Sequence, residues 1–125
     1  MGRHYFGDIE GKFAFAVQSS YDADFFGVEG YQPATLEYNY EEEDLETVEE
    51  KLKECEKNLG EYKEKLDEYF DKNNSYNDKM LSNFLGIEET KIRFFLEWYF
   101  RYELGVKIRD CIKEKGGCQF EAELE

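Results

Sequence analysis

Between Asp44 and Lys72 an apolar residue recurs at alternating intervals of three and four: Leu45, Val48, Leu52, Cys55, Leu59, Tyr62, Leu66 and Tyr69. That spacing is the a/d seam of one long amphipathic helix. Between the seam positions every residue is charged or polar, apart from Gly60. Such a helix spans roughly 40 Å at ~1.5 Å per residue. It cannot bury its stripe against itself, so another part of the chain, or a second chain, must cover it.

The chain has 125 residues, the length of a single domain. Its 41% hydrophobic and 18% aromatic content can build a core, despite 37% charged residues and a mean hydropathy of -0.81. The net charge is -14, from 30 acids against 16 bases. A surface this negative repels nucleic-acid phosphate and anionic membrane, and suits a basic protein partner or divalent cations. Neither direct nucleic-acid binding nor membrane binding is expected. There is no apolar run long enough to span a bilayer, and the opening residues MGRHYFGDIEGK carry no apolar signal core, so a cytoplasmic location is expected. Three cysteines, Cys55, Cys111 and Cys118, lack metal-ligand spacing and read as reduced thiols. No cofactor is expected.

Ahead of the long helix the pattern is β. Arg3–Phe6 and the apolar run Lys12–Gln18 read as a hairpin turned at Gly7–Gly11. A short helix should follow, with Ser20 accepting from its first free N–H groups and Gly27 closing it. Residues 28–34 form a loop with the only proline, Pro33. Thr35–Tyr40 alternates as a half-buried strand, with Leu36, Tyr38 and Tyr40 inward. Asp44 is the expected N-cap of the long helix, and Asn73-Asn74 its break. A shorter helix runs from about Tyr76 to Leu85 and ends at Gly86. From Glu88 a third helical region carries a wide apolar arc, the best cover for the long helix. Gly105 could kink or end that region, and Gly116-Gly117 stops it. The tail from Cys118 to Leu124 alternates again and reads as a closing strand. The predicted fold is α+β, a small, mainly antiparallel sheet packed against a long antiparallel helical hairpin. Residues 1–125 form one domain: 1–41 mainly β, 44–115 helical, 118–125 the closing strand.

Several groups could carry chemistry. Asp8 and Glu10 in a glycine-flanked turn, with Asp22 and Asp24 in YDAD, are oxygen ligands suited to a hard cation, although their spacing fits no calcium loop. His4 could act as an acid or base, but no nucleophile is arranged to serve it, and no catalytic residues are assigned. Arg93, Glu97, Arg101 and Arg109 lie on one i+4 row of the third helix, with Gly105 at the vacant position and Phe94, Trp98 and Tyr102 alongside. Arginine next to aromatics grips phosphate and stacks on bases, so Arg93, Trp98, Arg101, Tyr102 and Arg109 form a candidate ligand strip; the alternative is a solvated row paired with acids. The stretch from Glu37 to Glu50 holds Glu37, Glu41, Glu42, Glu43, Asp44, Glu46, Glu49 and Glu50 and no base. It could occupy a basic groove on a partner, or simply solvate a helix entry.

The opening stretch, His4-Tyr-Phe-Gly-Asp-Ile-Glu-Gly-Lys-Phe-x-Phe-x-Val-Gln-Ser-Ser followed by Asp-Ala-Asp-Phe-Phe-Gly27, resembles small uncharacterised proteins of phages and large DNA viruses. The resemblance covers about the first fifth of the chain. It implies a setting, a viral accessory protein in a host cytoplasm that binds and blocks a host component, and it implies no activity.

Three functions are therefore in play. The leading expectation is a non-enzymatic interaction protein that uses Glu41, Glu42, Glu43, Glu46, Glu49 and Glu50 against a basic protein. The second is a binder of a nucleotide or other phosphorylated small ligand along the arginine strip. The third is a metal-dependent enzyme using Asp8, Glu10, Asp22 and Asp24. For the seam, intrachain packing plus a homodimer contact is expected.

Overall fold

The computed structural model describes residues 3–30, 36–73 and 75–123. Four strands, β1 (His4–Gly7), β2 (Gly11–Lys12), β3 (Leu36–Glu41) and β4 (Gly117–Ala122), form one sheet in the order β2-β1-β4-β3. Every pairing is antiparallel. Four helices follow β3: α1 (Leu45–Leu59), α2 (Tyr62–Lys72), α3 (Asp78–Leu85) and α4 (Glu89–Lys115). The fold is α+β, as the periodicities predict. α1 runs antiparallel to α4, with Glu49 meeting Lys113 and Leu52 lying against Gly105, while Tyr62 at the start of α2 meets Phe95.

The expected single helix from Asp44 to Lys72 is two helices, broken at Gly60. There the backbone takes φ +55°, a conformation glycine adopts without penalty and other residues resist. The seam survives the break but divides its work. Val48, Leu52 and Cys55 pack with the sheet, the 3-10 helix Asp22–Phe26 and the C-terminal half of α4. Leu59, Leu66 and Tyr69 pack with α3 and the N-terminal half of α4. Among the described residues there are thus two apolar cores; α4 contributes to both along its length, and α1 reaches the second through Leu59. Trp98 and Tyr102, partly buried, touch both cores.

Gly105 neither kinks nor ends α4, which runs unbroken for 27 residues. A Cβ at this position would lie 2.5 Å from Phe26 Cζ and 2.8 Å from Leu52 Cδ2. The glycine is a notch that lets the buried Phe26 ring reach the helix backbone.

Two other expectations change. The apolar run Lys12–Gln18 contributes only Lys12 to the sheet, opposite His4. Beyond Phe13 the chain turns on itself: Val17 and Gln18 N–H both donate to Ala14 C=O, and the Gln18 amide oxygen accepts from Ala14 N–H. The run Phe13–Val17 is apolar throughout, but beyond Phe13 local hydrogen bonds take the place of a ladder. Ser20 does not cap the short helix. Its hydroxyl accepts from Arg3 Nη1 at 2.5 Å, while Ser19 Oγ accepts the Tyr21 N–H.

Asp44 takes the expected N-cap position of α1, but its side chain makes no cap hydrogen bond to that helix. Its carboxylate accepts the Glu41 N–H at 2.8 Å and closes a 3-10 turn over Glu42–Asp44, from which α1 continues. Asn77 caps α3 by accepting from Met80 N–H, so that helix starts at Asp78. In the last strand Cys118, Phe120 and Ala122 are buried, as expected from the alternation. In β3 the buried set is Leu36, Tyr38 and Tyr40. Thr35, Pro33, Asn74 and Leu124 lie outside the described residues.

Candidate functional site

The arginine row of α4 is consumed by the protein itself. Arg101 Nε donates to Asp22 Oδ1 at 2.7 Å, and its guanidinium lies over Trp98 (4.6 Å) and Phe25 (5.2 Å). The Asp22 side chain is only 6% exposed and also accepts from Gln18 Nε2 at 2.8 Å. Arg93 pairs with Glu97 at 3.1 Å, and Arg109 with Asp110 at 2.9 Å. Tyr102 faces Lys63, whose ammonium is 4.9 Å from its ring. Of the five residues expected to form a ligand strip, Arg101 and Trp98 are brought together, while Arg93, Tyr102 and Arg109 are engaged elsewhere. A shared i+4 row fixes direction roughly, but each guanidinium turned to its nearest carboxylate.

The four N-terminal acids are also separated by their partners. Asp8 accepts from the Gln119 N–H at 2.9 Å and faces Lys115. Glu10 is exposed, and its main-chain carbonyl accepts from Lys107 Nζ at 3.2 Å. Asp22 holds Arg101. Asp24 accepts from the Tyr38 hydroxyl and from the Gly30 N–H. Among the described residues no group of three or more His, Cys, Asp or Glu side chains could hold a metal ion. His4 sits at the sheet surface, 3.3 Å from the Glu123 carboxylate.

Tyr38, Tyr40 and Cys55, in the core beneath the sheet, are held in their neutral forms. Burial, then the hydrogen bond to Asp24, pushes the Tyr38 hydroxyl far above its ordinary range. Burial alone does most of the same to Tyr40, which donates to Ala23 C=O at 2.6 Å. Burial pushes the Cys55 thiol up to about 12. Such groups are hydrogen-bonded core, not nucleophiles.

The acids from β3 into α1 behave differently. Glu41, Glu42, Glu43, Glu46 and Glu50 are exposed, and Glu37 is half-buried on the solvent side of β3. Glu49 reaches Lys113 at 3.4 Å. Among the described residues, no basic side chain pairs with Glu37, Glu41, Glu42, Glu43, Glu46 or Glu50. The crowding has a chemical consequence. A hydrogen bond from the protonated Glu43 carboxyl to Glu41, then the negative charge of Glu41 and Asp44, raises the Glu43 carboxyl above its ordinary value.

What sequence reasoning missed is the partnership between the 3-10 helix and α4. Asp22 and Arg101 are 79 positions apart, and nothing local marks them as a pair. The available signal was weak: two candidate sites of opposite sign, each with one member suited to the other. Among the described residues, no helix is long and apolar enough to cross a membrane. Comparison with protein-family models, curated proteins and solved structures found no match.

Proposed function

We propose that the chain is a non-enzymatic interaction protein whose acidic face, from β3 through Glu41–Glu43 to the first turns of α1, binds a basic surface on a protein partner. One observation carries this reading: the arginines of α4 are paired internally, whereas the acids of this face have no basic partner among the described residues. A basic partner would supply the missing charge and steer association over distances of about a Debye length, ~10 Å at 0.1 M salt. The viral resemblance of the opening stretch supplies a setting, in which binding blocks a host component.

The test is an array of short peptides probed with the full chain at low and high salt. Lysine- and arginine-rich members should be retained at low salt and lost at high salt. Replacing Glu42, Glu46 and Glu50 with lysine should remove the signal while the far-ultraviolet circular dichroism stays unchanged. Retention at high salt, or an unaffected triple variant, would contradict the reading.

A further inference from the structure

Among the described residues, one edge of β3 carries main-chain groups that no other strand uses. Gln119 in β4 donates its N–H to Asp8 Oδ2 at 2.9 Å and accepts from Asp8 N–H at 2.8 Å, so both of its main-chain groups face the β1 side. Asn39 lies directly opposite Gln119 on the other side. In an antiparallel ladder, the N–H and C=O of one residue point to the same edge, and alternate residues point to opposite edges. Asn39 therefore turns its N–H and C=O away from β4, and Glu37 and Glu41 share that orientation. Glu41 bears this out: its N–H donates to Asp44 Oδ2. Among the described residues β3 has no neighbour on this side, because the sheet order ends with it.

The outward edge thus presents the main-chain groups of Glu37 and Asn39. The same two residues and Glu41 carry their side chains on the solvent face, beside Glu42 and Glu43. We propose that a lysine- or arginine-rich extended segment of a protein partner adds to β3 as a fifth strand. Its main chain pairs with Glu37 and Asn39, and alternate basic side chains lie against Glu37 and Glu41. Strand addition draws affinity from main-chain hydrogen bonds and specificity from alternate side chains. Cross-strand pairs of opposite charge are favourable and like pairs are not. A second copy is the poor occupant: pairing β3 with itself about Asn39 would set Glu37 against Glu41 between two chains that each carry -14. This inference rests on the basic-partner reading and adds its geometry.

The experiment uses the full chain and a synthetic peptide alternating lysine and valine, with three comparison peptides: one with glutamate for lysine, one shuffled to helical spacing, and one N-methylated at every second residue. Titration and amide hydrogen exchange are read together. The alternating peptide should bind at low salt and protect the amides of Glu37 and Asn39, and the comparison peptides should bind about tenfold more weakly or worse. Asn39→Pro removes an edge N–H that β4 does not use. It should keep the melting temperature near that of the parent and lose the peptide. Should Asn39→Pro fail to fold, the N-methylated peptide makes the same test from the other side. Binding that depends on Glu42, Glu46 and Glu50 but leaves Asn39 exchange unchanged would overturn strand addition and leave the acidic-face reading standing. No binding by any basic peptide would overturn both. A dimer of the chain with Asn39 protected would overturn the choice of occupant.

Discussion

Asp22 shows how one residue's environment decides between a ligand and a strut. Its carboxylate is nearly enclosed, and Arg101 and Gln18 supply its hydrogen bonds. Removing one partner of a buried pair leaves an unpaired charge, so Arg101→Ala should cost about 3 kcal/mol in chemical denaturation. Arg101→Lys should recover only part, because lysine lacks the planar fork that stacks on Trp98. Arg93→Ala, at an exposed pair, should change stability by less than about 0.5 kcal/mol. Equal effects at the two positions would contradict the separate roles given to them. Cys55 offers a second residue-scale outcome. Its folded-state pKa of about 12 exceeds the ordinary 9.0, so the folded chain keeps a proton that the unfolded chain gives up. That stabilisation is complete below pH 9 and is lost as pH rises through about 12. Tyr38, Tyr40 and Tyr99 shift the same way, chiefly through burial. Melting temperature should therefore fall progressively above pH 9, and native thiols should resist alkylating reagents at neutral pH. Rapid labelling of Cys55 in the folded chain would contradict this. The Asp22–Arg101 pairing is not visible in sequence, because its members are 79 positions apart, whereas Arg93 and Glu97 lie one helical turn apart and their pairing is visible.

Elements were more legible than contacts. The three-four spacing of the seam marked the Asp44–Lys72 stretch as helical, though as one helix and not two, and the alternation of Leu36, Tyr38 and Tyr40 identified β3, because burial imposes those periods directly. The two central glycines were harder. Gly60 interrupts a seam whose spacing is unbroken, so periodicity alone conceals it. Gly105 looks like a breaker and is a contact. Their substitutions should differ in mechanism. Gly60→Ala meets no atom within 4 Å, yet must hold a positive φ, and should cost on the order of 1–3 kcal/mol or straighten the helix. Gly105→Ala gains about 1 kcal/mol of helix propensity but pushes on Phe26 and Leu52, an overpacking cost of about 1–3 kcal/mol. Net destabilisation is expected by urea denaturation, and a stabilised Gly105→Ala would refute the notch. The Lys12–Gln18 run was misread because a short continuous apolar run carries no period, and local bonds to Ala14 fold it into a turn.

At the scale of the whole molecule, charge and packing are segregated. α4 ties two cores together and holds its arginines in internal pairs, while among the described residues most acids of β3 and the entry to α1 have no basic partner. Seam and surface therefore respond oppositely to mutation. Leu52→Asp puts a charge into a side chain 3% exposed and should unfold the sheet core, seen as lost circular dichroism and near-ultraviolet signal. The sequence already displayed the acidic stretch, but could not show which of its members have partners; the structure separates Glu49, paired with Lys113, from its neighbours. The most direct measurement is a calorimetric titration of a lysine-rich peptide into the parent chain and into the Glu42→Lys, Glu46→Lys, Glu50→Lys triple variant, at two salt concentrations. The parent should bind at low salt and weaken about tenfold or more at high salt, while the folded triple variant gives no heat. A triple variant that binds as tightly as the parent would contradict the acidic face as the site of recognition.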